Sequence, residues 1–254
     1  MRISVVVTTY NGKMHLEKQL LSLLQQERAP DEVLIFDDGS TDGTIELVQS
    51  FIRKNCLESW QFYVNAKRKG WKQNFMEGLR KAAGDILFPC DQDDIWYPKK
   101  LAEMTAVMEQ HPEIKLLACD YRVLYEPGAL KATVYKKTPA ETQGLITRYG
   151  FTKHFFMNPY PGCTYAVRRD FFDAVKELWF DGSPHDELLW LMAAVQDGAW
   201  FYNRALLDYV RSSDNASGVR YKDVALQKEN LRYIHKQLCA LQSFAAEHPD
   251  AVPA

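Results

Sequence analysis

The sequence has few cysteines, and they form no recognisable motif. The five are Cys56, Cys90, Cys119, Cys163 and Cys239, an odd number at wide spacing. No two of them are spaced C-x-x-C, which excludes a zinc-ribbon or thioredoxin-type motif. We therefore interpret them as reduced thiols of a protein core.

Long apolar runs and an excess of one charge are also missing. No stretch approaches the roughly 18 apolar residues that a bilayer-spanning helix needs, and the chain enters a strand-like run at Ile3 without the features of a signal peptide. We therefore expect a cytoplasmic protein, with adsorption to the inner face of the membrane left open. The 31 basic and 33 acidic side chains give a net charge of −2, so we expect no nucleic-acid partner.

The first half of the 254-residue chain alternates strand-like and helix-like patterns. Strands are predicted in ISVVVTTY from Ile3, over Val33 to Phe36, in QFYVN from Gln61 and in DILFPC from Asp85. Apolar residues at helical spacing follow the first three: Leu16, Leu20, Leu23 and Leu24; Ile45, Val48 and Ile52 after a cap at Ser40 or Thr41; and Phe75, Leu79 and Ala82. Repeated βαβ units predict an α/β fold with a Rossmann-like, mostly parallel sheet flanked by helices.

The second half is less regular. Pro98 and the spacing of Leu101, Met104 and Met108 predict a helix, and a strand follows from Ile114. Residues 126–150 have weak periodicity, which suggests a mobile loop. We expect one domain over residues 1–220 and an amphipathic C-terminal helix over 221–254. That helix is predicted to pack on the domain or on a second copy in a homodimer, and peripheral membrane contact is the minority interpretation.

Polar residues cluster where three of the predicted strands end. They are Thr8, Thr9, Tyr10 and Asn11, then Asp37 and Asp38, then Asp91, Asp93 and Asp94. Ligands of open α/β sheets bind beyond the carboxyl ends of the strands, so these side chains are expected in one crevice. Several carboxylates there repel one another unless a cation holds them, and oxygen ligands suit Mg²⁺ or Mn²⁺ with a diphosphate substrate. Turn-forming acidic loops and helix caps are the structural alternative.

The stretches SVVVTTYNG, VLIFDDGSTDGT and DILFPCDQDDIWYPKKL, in this order, resemble the signature of the inverting family-two glycosyltransferases. The resemblance covers Ile3 to Leu101 and is looser beyond. It implies a GT-A-like fold, with residues 1–120 as the nucleotide-sugar-binding half and 121–220 as the acceptor half. DQDDIW together with KGWKQNF resembles the bacterial rhamnosyltransferase-type subgroup. The implied activity is metal-dependent, inverting transfer of a sugar from a UDP- or dTDP-sugar to a glycan or glycolipid hydroxyl in surface polysaccharide synthesis.

The resemblance also implies roles for individual residues. Thr8, Tyr10 and Asp38 match the pyrimidine-binding positions, and the expected nucleotide-binding set is completed by Asp37, Asn74, Asp91 and Arg211. Asp93 and Asp94 are expected to bind Mg²⁺ or Mn²⁺. Which member of the acidic loop holds the metal and which holds the ribose stays open.

An inverting transfer needs a general base for the acceptor hydroxyl. The resemblance assigns this role to Asp186 in SPHDELLWLMAAV, with Glu187 as the competing base and a simple helix N-terminus as the structural alternative. The chain departs from the family pattern at two positions. His185 stands where the family usually has Glu, and Ser213 stands where the segment after Arg211 usually has His, leaving Asp214 or His185 as substitutes.

Three features leave alternatives open. The basic run of Lys67, Arg68, Lys69 and Lys72 is either a solvated helix entrance or a source of phosphate attraction. Trp71 and Trp96 either line the sugar site or pack in the core.

The sequence also weighs against other functional classes. A sugar nucleotidyltransferase would be expected to carry a Gly-rich loop after the first strand, and a dehydrogenase needs G-x-G-x-x-G there; neither pattern is present. A non-catalytic nucleotide-sugar-binding relative is the remaining alternative, which Asp186 pointing away from the crevice would favour.

Overall fold

The computed structural model describes residues 1–129, 143–149, 158–212 and 224–249, so Ser213, Asp214 and part of the predicted loop over 126–150 lie outside the described residues. Its strands are β1 Ile3–Thr9, β2 Glu32–Asp37, β3 Trp60–Val64, β4 Ile86–Cys90, β5 Ile95–Trp96, β6 Leu116–Tyr125, β7 Ile146–Arg148, β8 Tyr165–Arg168 and β9 Ala199–Arg211. Its α-helices are α1 Lys13–Leu24, α2 Thr44–Lys54, α3 Trp71–Lys81, α4 Lys100–Gln110, α5 Arg169–Val175, α6 His185–Val195 and α7 Val224–Glu247. A short 3₁₀ helix, Gly162–Thr164, leads into β8.

The strands form one sheet in the order β3-β2-β1-β4-β8-β6-β9-β5, with β7 paired to β9. The β3, β2, β1 and β4 pairings are all parallel, as the repeated βαβ pattern predicts. In the other half β6 and β9 are parallel, while β8 runs antiparallel to both β4 and β6. The predicted Rossmann-like α/β fold is therefore confirmed, and the sheet is parallel in its first half and mixed in its second.

Helices cover both faces of the sheet. On one face Leu16 of α1, Val48 of α2 and Met104 of α4 belong to one buried apolar cluster. On the other face the side chains of α3, α5 and α6 form a second cluster, which includes Phe75, Phe172 and Trp190. The β-branched run of β1 contributes to both clusters, since strand side chains alternate between faces. This arrangement leaves the carboxyl ends of the strands available for loops.

The C-terminal helix α7 packs on the second face. Its Phe244 is buried in the second cluster, and the Tyr233 ring contacts that of Phe180. Ile234 and Leu238 are largely exposed on α7. Within the part of the chain that the structure describes, no helix combines the length and hydropathy needed to cross a bilayer.

Several local predictions need correction. Leu24 is 40% exposed rather than packed with Leu16 and Leu20. Helix α2 begins at Thr44 and not after a cap at Ser40 or Thr41, because the Ser40 hydroxyl bonds to Asp37 while the Asp42 carboxylate accepts the Thr44 N–H at 3.0 Å.

Other boundaries and the cysteines also differ from expectation. Helix α4 begins two residues beyond Pro98, and β7 lies inside the segment predicted as a loop. Cys90, Cys119 and Cys163 are buried free thiols as predicted, while Cys56 and Cys239 are exposed.

The sheet opens at the carboxyl end of β4. Strand β4 pairs with β8 through Ile86 and Leu87 alone, so Pro89, which has no N–H, lies where β8 no longer continues the ladder. The 3₁₀ helix Gly162–Thr164 packs beside both β4 and β6 at this opening. The geometry thus brings Cys163 next to the acidic loop that follows β4.

Candidate active site

Asp37 shapes the loop that follows β2. Its Oδ1 atom accepts the N–H groups of Gly39 and Ser40 at 3.0 and 2.8 Å, and its Oδ2 accepts the Ser40 hydroxyl at 2.5 Å. Gly39 has φ +81°, a conformation that favours glycine. Asp37 is fully buried, so these contacts are those of a residue that builds the loop rather than one that offers an oxygen to a ligand.

Asp38 anchors the loop between β3 and α3. One carboxylate oxygen accepts the Lys69 N–H at 2.7 Å and the Asn65 side-chain amide at 3.1 Å, and the other accepts the Gly70 N–H at 2.8 Å. The Asn65 amide also donates to Oδ1 of Asn74, whose own Nδ2 donates to the Phe36 carbonyl. Asp38 and Asn74 are both nearly fully buried. They therefore hold the loop 65–70 over the end of β2.

Tyr10, at the end of β1, faces this loop. The guanidinium carbon of Arg68 lies 4.0 Å from the centroid of the Tyr10 ring. Gln92 of the acidic loop ties the same strand end in place, since its Oε1 accepts the Tyr10 N–H at 2.9 Å and the Thr9 hydroxyl at 2.8 Å. A Cβ on Gly12 would lie 2.2 Å from that Oε1, so a larger residue at position 12 would displace the Gln92 side chain. Thr8 is buried nearby in β1.

The acidic loop places two carboxylates beside a thiol. One ligand atom from each of Asp91, Asp94 and Cys163 lies within 4.8 Å of the others, and among the described residues this is the group with metal-binding geometry. Oδ1 of Asp94 accepts the Val210 N–H at 3.3 Å. Apart from the weak thiol donor of Cys163, Oδ2 of Asp94 has no hydrogen-bond partner among the described residues.

Asp93 is not a member of this group. Its carboxyl group interacts electrostatically with His15, Arg211 and Glu126. The Arg211 guanidinium donates to the Tyr209 hydroxyl at 3.3 Å. The Arg211 guanidinium therefore acts electrostatically on the acidic loop, and its binding to phosphate stays a prediction.

Burial gives the acidic loop unusual electrostatics. Desolvation raises the pKa of Asp91, Asp93 and Asp94, and the charges of Asp91 and Asp93 add to the rise at Asp94. Three such carboxyl groups cannot all ionise without a compensating charge. The orphaned Oδ2 of Asp94 and the oxygen-rich donor set fit a divalent cation.

Asp186 is the second residue of helix α6. Its Oδ1 accepts the N–H of Glu187 at 3.0 Å, and its Oδ2 accepts Nδ2 of Asn158 at 3.3 Å. Asn158 is itself held by the Tyr165 hydroxyl at 2.5 Å. Burial, then the charge of Glu187, raises the pKa of Asp186 to about 7.

The direction of the two candidate bases distinguishes them. Asp186 lies beside the segment that carries Cys163, since a Cβ on Gly162 would lie 3.0 Å from the Cβ of Asp186, and its charge contributes to the raised pKa of Asp91. Glu187 instead accepts a hydrogen bond from Tyr233 of α7. The contacts therefore favour Asp186 over Glu187 as the base.

His185 is a buried neutral imidazole beside Asp186. Its ring stacks on Phe75 with centroids 4.1 Å apart, and neither ring nitrogen has a hydrogen-bond partner among the described residues. Desolvation lowers its pKa to about 3. A Cβ on Gly162 would lie 2.7 Å from its Nε2, so glycine at 162 allows α6 to approach.

The sequence identified most of this constellation but missed residues that hold it together. Gln92, Asn65, Cys163 and Asn158 carried no local signal, because the predicted site residues that they contact are 9 to 83 positions away. Trp96 is buried with Lys100 Nζ 4.7 Å from its ring, so it packs in the core, whereas Trp71 is 39% exposed at the start of α3.

Comparison with known proteins gives a family match. The model of Glycosyl transferase family 2 matches residues 4–173 of this chain. The dTDP-rhamnosyl transferase RfbG of Shigella flexneri is 23% identical over 224 residues, which cover 82% of this chain and 72% of RfbG. This chain covers less than half of several other curated relatives.

Solved structures confirm the predicted GT-A-like fold. TarS residues 1–349 from Staphylococcus aureus, in complex with UDP-GlcNAc, matches with a TM-score of 0.67 at 19% identity, over 100% of this chain and 68% of that one. The mannosyltransferase PcManGT from Pyrobaculum calidifontis, in complex with GDP-Man and Mn²⁺, matches with a TM-score of 0.57 at 20% identity, over 85% of this chain and 58% of that one. At these identities the likeness concerns the fold.

Proposed function

The chain belongs to glycosyl transferase family 2, and from this membership we propose that it transfers a sugar from a UDP- or dTDP-sugar to a glycan or glycolipid hydroxyl, with inversion. The similarity to RfbG makes a dTDP-linked rhamnose the first donor to test. We place the reaction in the cytoplasm, at the inner face of the membrane where the acceptor is a glycolipid, as a step of surface polysaccharide synthesis.

One observation carries the proposal. The acidic loop after β4 and the candidate base on α6 both border the segment Gly162–Cys163, because Cys163 lies beside Asp91 and Asp94 and a Cβ on Gly162 would lie 3.0 Å from the Cβ of Asp186. A donor diphosphate at the acidic loop would then bring its anomeric carbon toward Asp186. A non-catalytic binding relative would have no use for a base in this position.

The chain's own residues divide the work. Tyr10, Arg68 and the loop anchored by Asp38 border the proposed nucleotide pocket, and Arg211 offers a guanidinium to the phosphate oxygens. Asp91 and Asp94 are placed to hold a divalent cation, Mg²⁺ or Mn²⁺, and the proposed role of Asp93 is to complete its coordination. When bound, such a cation would neutralise the charge of the departing diphosphate.

Asp186 supplies the proton chemistry. Its ionised carboxylate accepts the proton of the acceptor hydroxyl while the acceptor oxygen forms a bond to the anomeric carbon. The bond from that carbon to the diphosphate breaks on the opposite side, and the nucleotide diphosphate leaves with the electron pair. Asn158 keeps the carboxylate in place during this transfer.

A thermal-shift screen of UDP-, dTDP- and GDP-sugars with Mn²⁺ tests the donor and the metal together, because a ligand that binds the native state raises its stability. We expect stabilisation by a UDP- or dTDP-sugar that requires the metal and disappears in the double variant Asp93→Asn, Asp94→Asn. Asp173→Asn, an exposed carboxylate paired with Lys176, is the matched control. Equal metal-dependent stabilisation in the double variant would contradict the proposal.

A further inference from the structure

The thiol of Cys163 is an unexpected member of the acidic group. Its sulfur and one oxygen each of Asp91 and Asp94 lie within 4.8 Å of one another. Cys163 and Asp94 are each 1% exposed, and Oδ2 of Asp94 has no other donor among the described residues. Asp91 is half-buried and connects the group to the crevice. The group is therefore a pre-assembled set of two oxygens and one sulfur, with one of its carboxylates partly exposed.

The other buried thiols have different surroundings. Sγ of Cys90 accepts a hydrogen bond from the Gln19 amide, and Sγ of Cys119 accepts one from the Lys100 ammonium at 3.4 Å. Each of these sulfurs thus faces a donor, as a packed core thiol does. Cys163 instead faces carboxylate oxygens, which attract a proton or a metal ion rather than supply a hydrogen bond.

A ligand set of two carboxylate oxygens and one thiolate sulfur favours different cations from a set of oxygen ligands only. Mg²⁺ takes oxygen ligands in octahedral geometry, whereas a thiolate favours Zn²⁺, Co²⁺ or Cd²⁺. Zinc sites have Zn–S distances of about 2.3 Å and Zn–O distances of about 2.0–2.2 Å, which put the ligand atoms of a tetrahedral site about 3.3–3.7 Å apart. The three atoms lie within 4.8 Å of one another, so closing the site around a cation needs a movement of no more than about 1.5 Å. Three protein ligands leave a position open for a substrate oxygen.

We propose that Cys163 is a third protein ligand of the cation site, and that its thiolate makes the site bind Zn²⁺, Co²⁺ or Cd²⁺ more tightly than carboxylates alone would. The cation's place at the donor diphosphate rests on the proposed function, but ligation by sulfur can be tested by itself. Most protein sites bind Zn²⁺ more tightly than Mn²⁺, so the informative quantity is the dependence on the thiol and not the order of affinities.

Cobalt provides a direct readout, because a thiolate ligand gives Co²⁺ a charge-transfer band in the near ultraviolet. The exposed cysteines are removed first, as Cys56→Ser and Cys239→Ser, so that they bind no cobalt. In this background, with UDP present, we expect the band on Co²⁺ addition, its loss in Cys163→Ser and its retention in Cys119→Ser. Calorimetry should show at least about tenfold weaker Co²⁺ binding in Cys163→Ser, the lower end of what loss of even an outer-shell partner costs.

Two further measurements separate the possible outcomes. X-ray absorption on the cobalt-loaded background protein counts sulfur ligands without any change at 163, and Cys163→Ala serves if the serine variant does not fold. Cobalt bound without sulfur, at equal affinity with and without Cys163, would overturn the thiol ligand and leave the proposed transferase intact. A sulfur-ligated cobalt in a protein that binds no nucleotide sugar would support the thiol site and count against the transferase.

Discussion

The guanidinium of Arg68 covers the ring of Tyr10, with its central carbon 4.0 Å from the ring centroid. Arg68 belongs to the loop that Asp38 holds through the N–H groups of Lys69 and Gly70. The exposed side of such a stacked guanidinium can pack on a planar base, and its N–H groups can donate to the oxygens of a diphosphate. Of the basic run before α3, Arg68 is therefore the member whose charge lies on Tyr10, whereas Lys69 pairs with Glu77 and Lys72 donates to the Gly182 carbonyl.

Replacing Arg68 with Ala should weaken UDP binding by about 2- to 30-fold, the range that corresponds to losing a cation–π contact of about 0.5–2 kcal/mol between the guanidinium and the base. Lys67→Ala removes the same charge from an exposed neighbour and is the matched control. Isothermal titration calorimetry at two salt concentrations measures both. Equal losses in the two variants would mean that the run acts through its net charge, and the specific role of Arg68 would be wrong.

Asp38→Ala should loosen the loop 65–70 and weaken UDP binding while leaving the fold intact. The substitution removes the acceptor of two backbone N–H groups and of the Asn65 amide, so hydrogen exchange at Lys69 and Gly70 should accelerate. Asp42→Ala is the control, since Asp42 accepts the Thr44 N–H at the start of α2, outside this network. Circular dichroism reports the fold, and unchanged UDP affinity in Asp38→Ala would refute the prediction.

The first half of the fold was predictable because its signals are local. Each of the first two strands is an apolar run followed by polar residues. Because the two strands pair in parallel, their ends at Thr9 and Asp37 lie side by side. The same logic correctly placed Asp91 to Asp94 beyond β4. A local signal failed at Ser40, which was predicted as a cap of helix α2. Its hydroxyl donates to Asp37 instead.

The partners that complete the site could not be predicted in this way. Cys163 lies beside Asp94, and Asn158 donates to Asp186, because segments distant in the chain pack together. No periodicity encodes such contacts, because they depend on where β8 inserts between β4 and β6. The antiparallel direction of β8 was not predicted either, although the segment before it carries no pattern of the crossover helix that parallel pairing usually needs.

Acid should destabilise the fold through His185. Burial lowers its pKa to about 3 in the folded state, against about 6.5 in the unfolded chain. The unfolded chain therefore takes up a proton as the pH falls below 6.5 and the native protein does not, so the free energy of unfolding decreases. The loss from this group between pH 7 and pH 5 should be about 2 kcal/mol.

Urea unfolding of the wild type and of His185→Gln at both pH values isolates this contribution, because the carboxyl groups titrate in both proteins. The pH-dependent loss of stability should be smaller in the variant by that amount. His235→Gln, an exposed histidine on α7, should behave like the wild type. The same pH dependence in His185→Gln as in the wild type would show that the imidazole is not held neutral.

The last prediction concerns Asp186 as the base. Asp186→Asn should keep the affinity for the donor and lower turnover by about 10²–10⁴-fold, because the carboxylate meets the acceptor and not the nucleotide. Glu187→Gln, its neighbour turned toward Tyr233, should retain activity and is the matched control. Since no covalent intermediate forms, proton NMR should show a product of anomeric configuration opposite to that of the donor. Normal turnover in Asp186→Asn with an inactive Glu187→Gln would transfer the role to Glu187.

The pH profile tests the same base without removing it. Burial raises the pKa of Asp186 to about 7, so the carboxyl group is protonated and inactive below that value and ionised above it. Turnover should therefore rise with pH through a midpoint near 7. Asn158→Ala removes the amide that donates to Oδ2, which favours the ionised form, so the midpoint should move to higher pH while donor affinity stays unchanged. A loss of turnover in Asn158→Ala that is equal at every pH would mean that Asn158 supports the fold and does not act on the base.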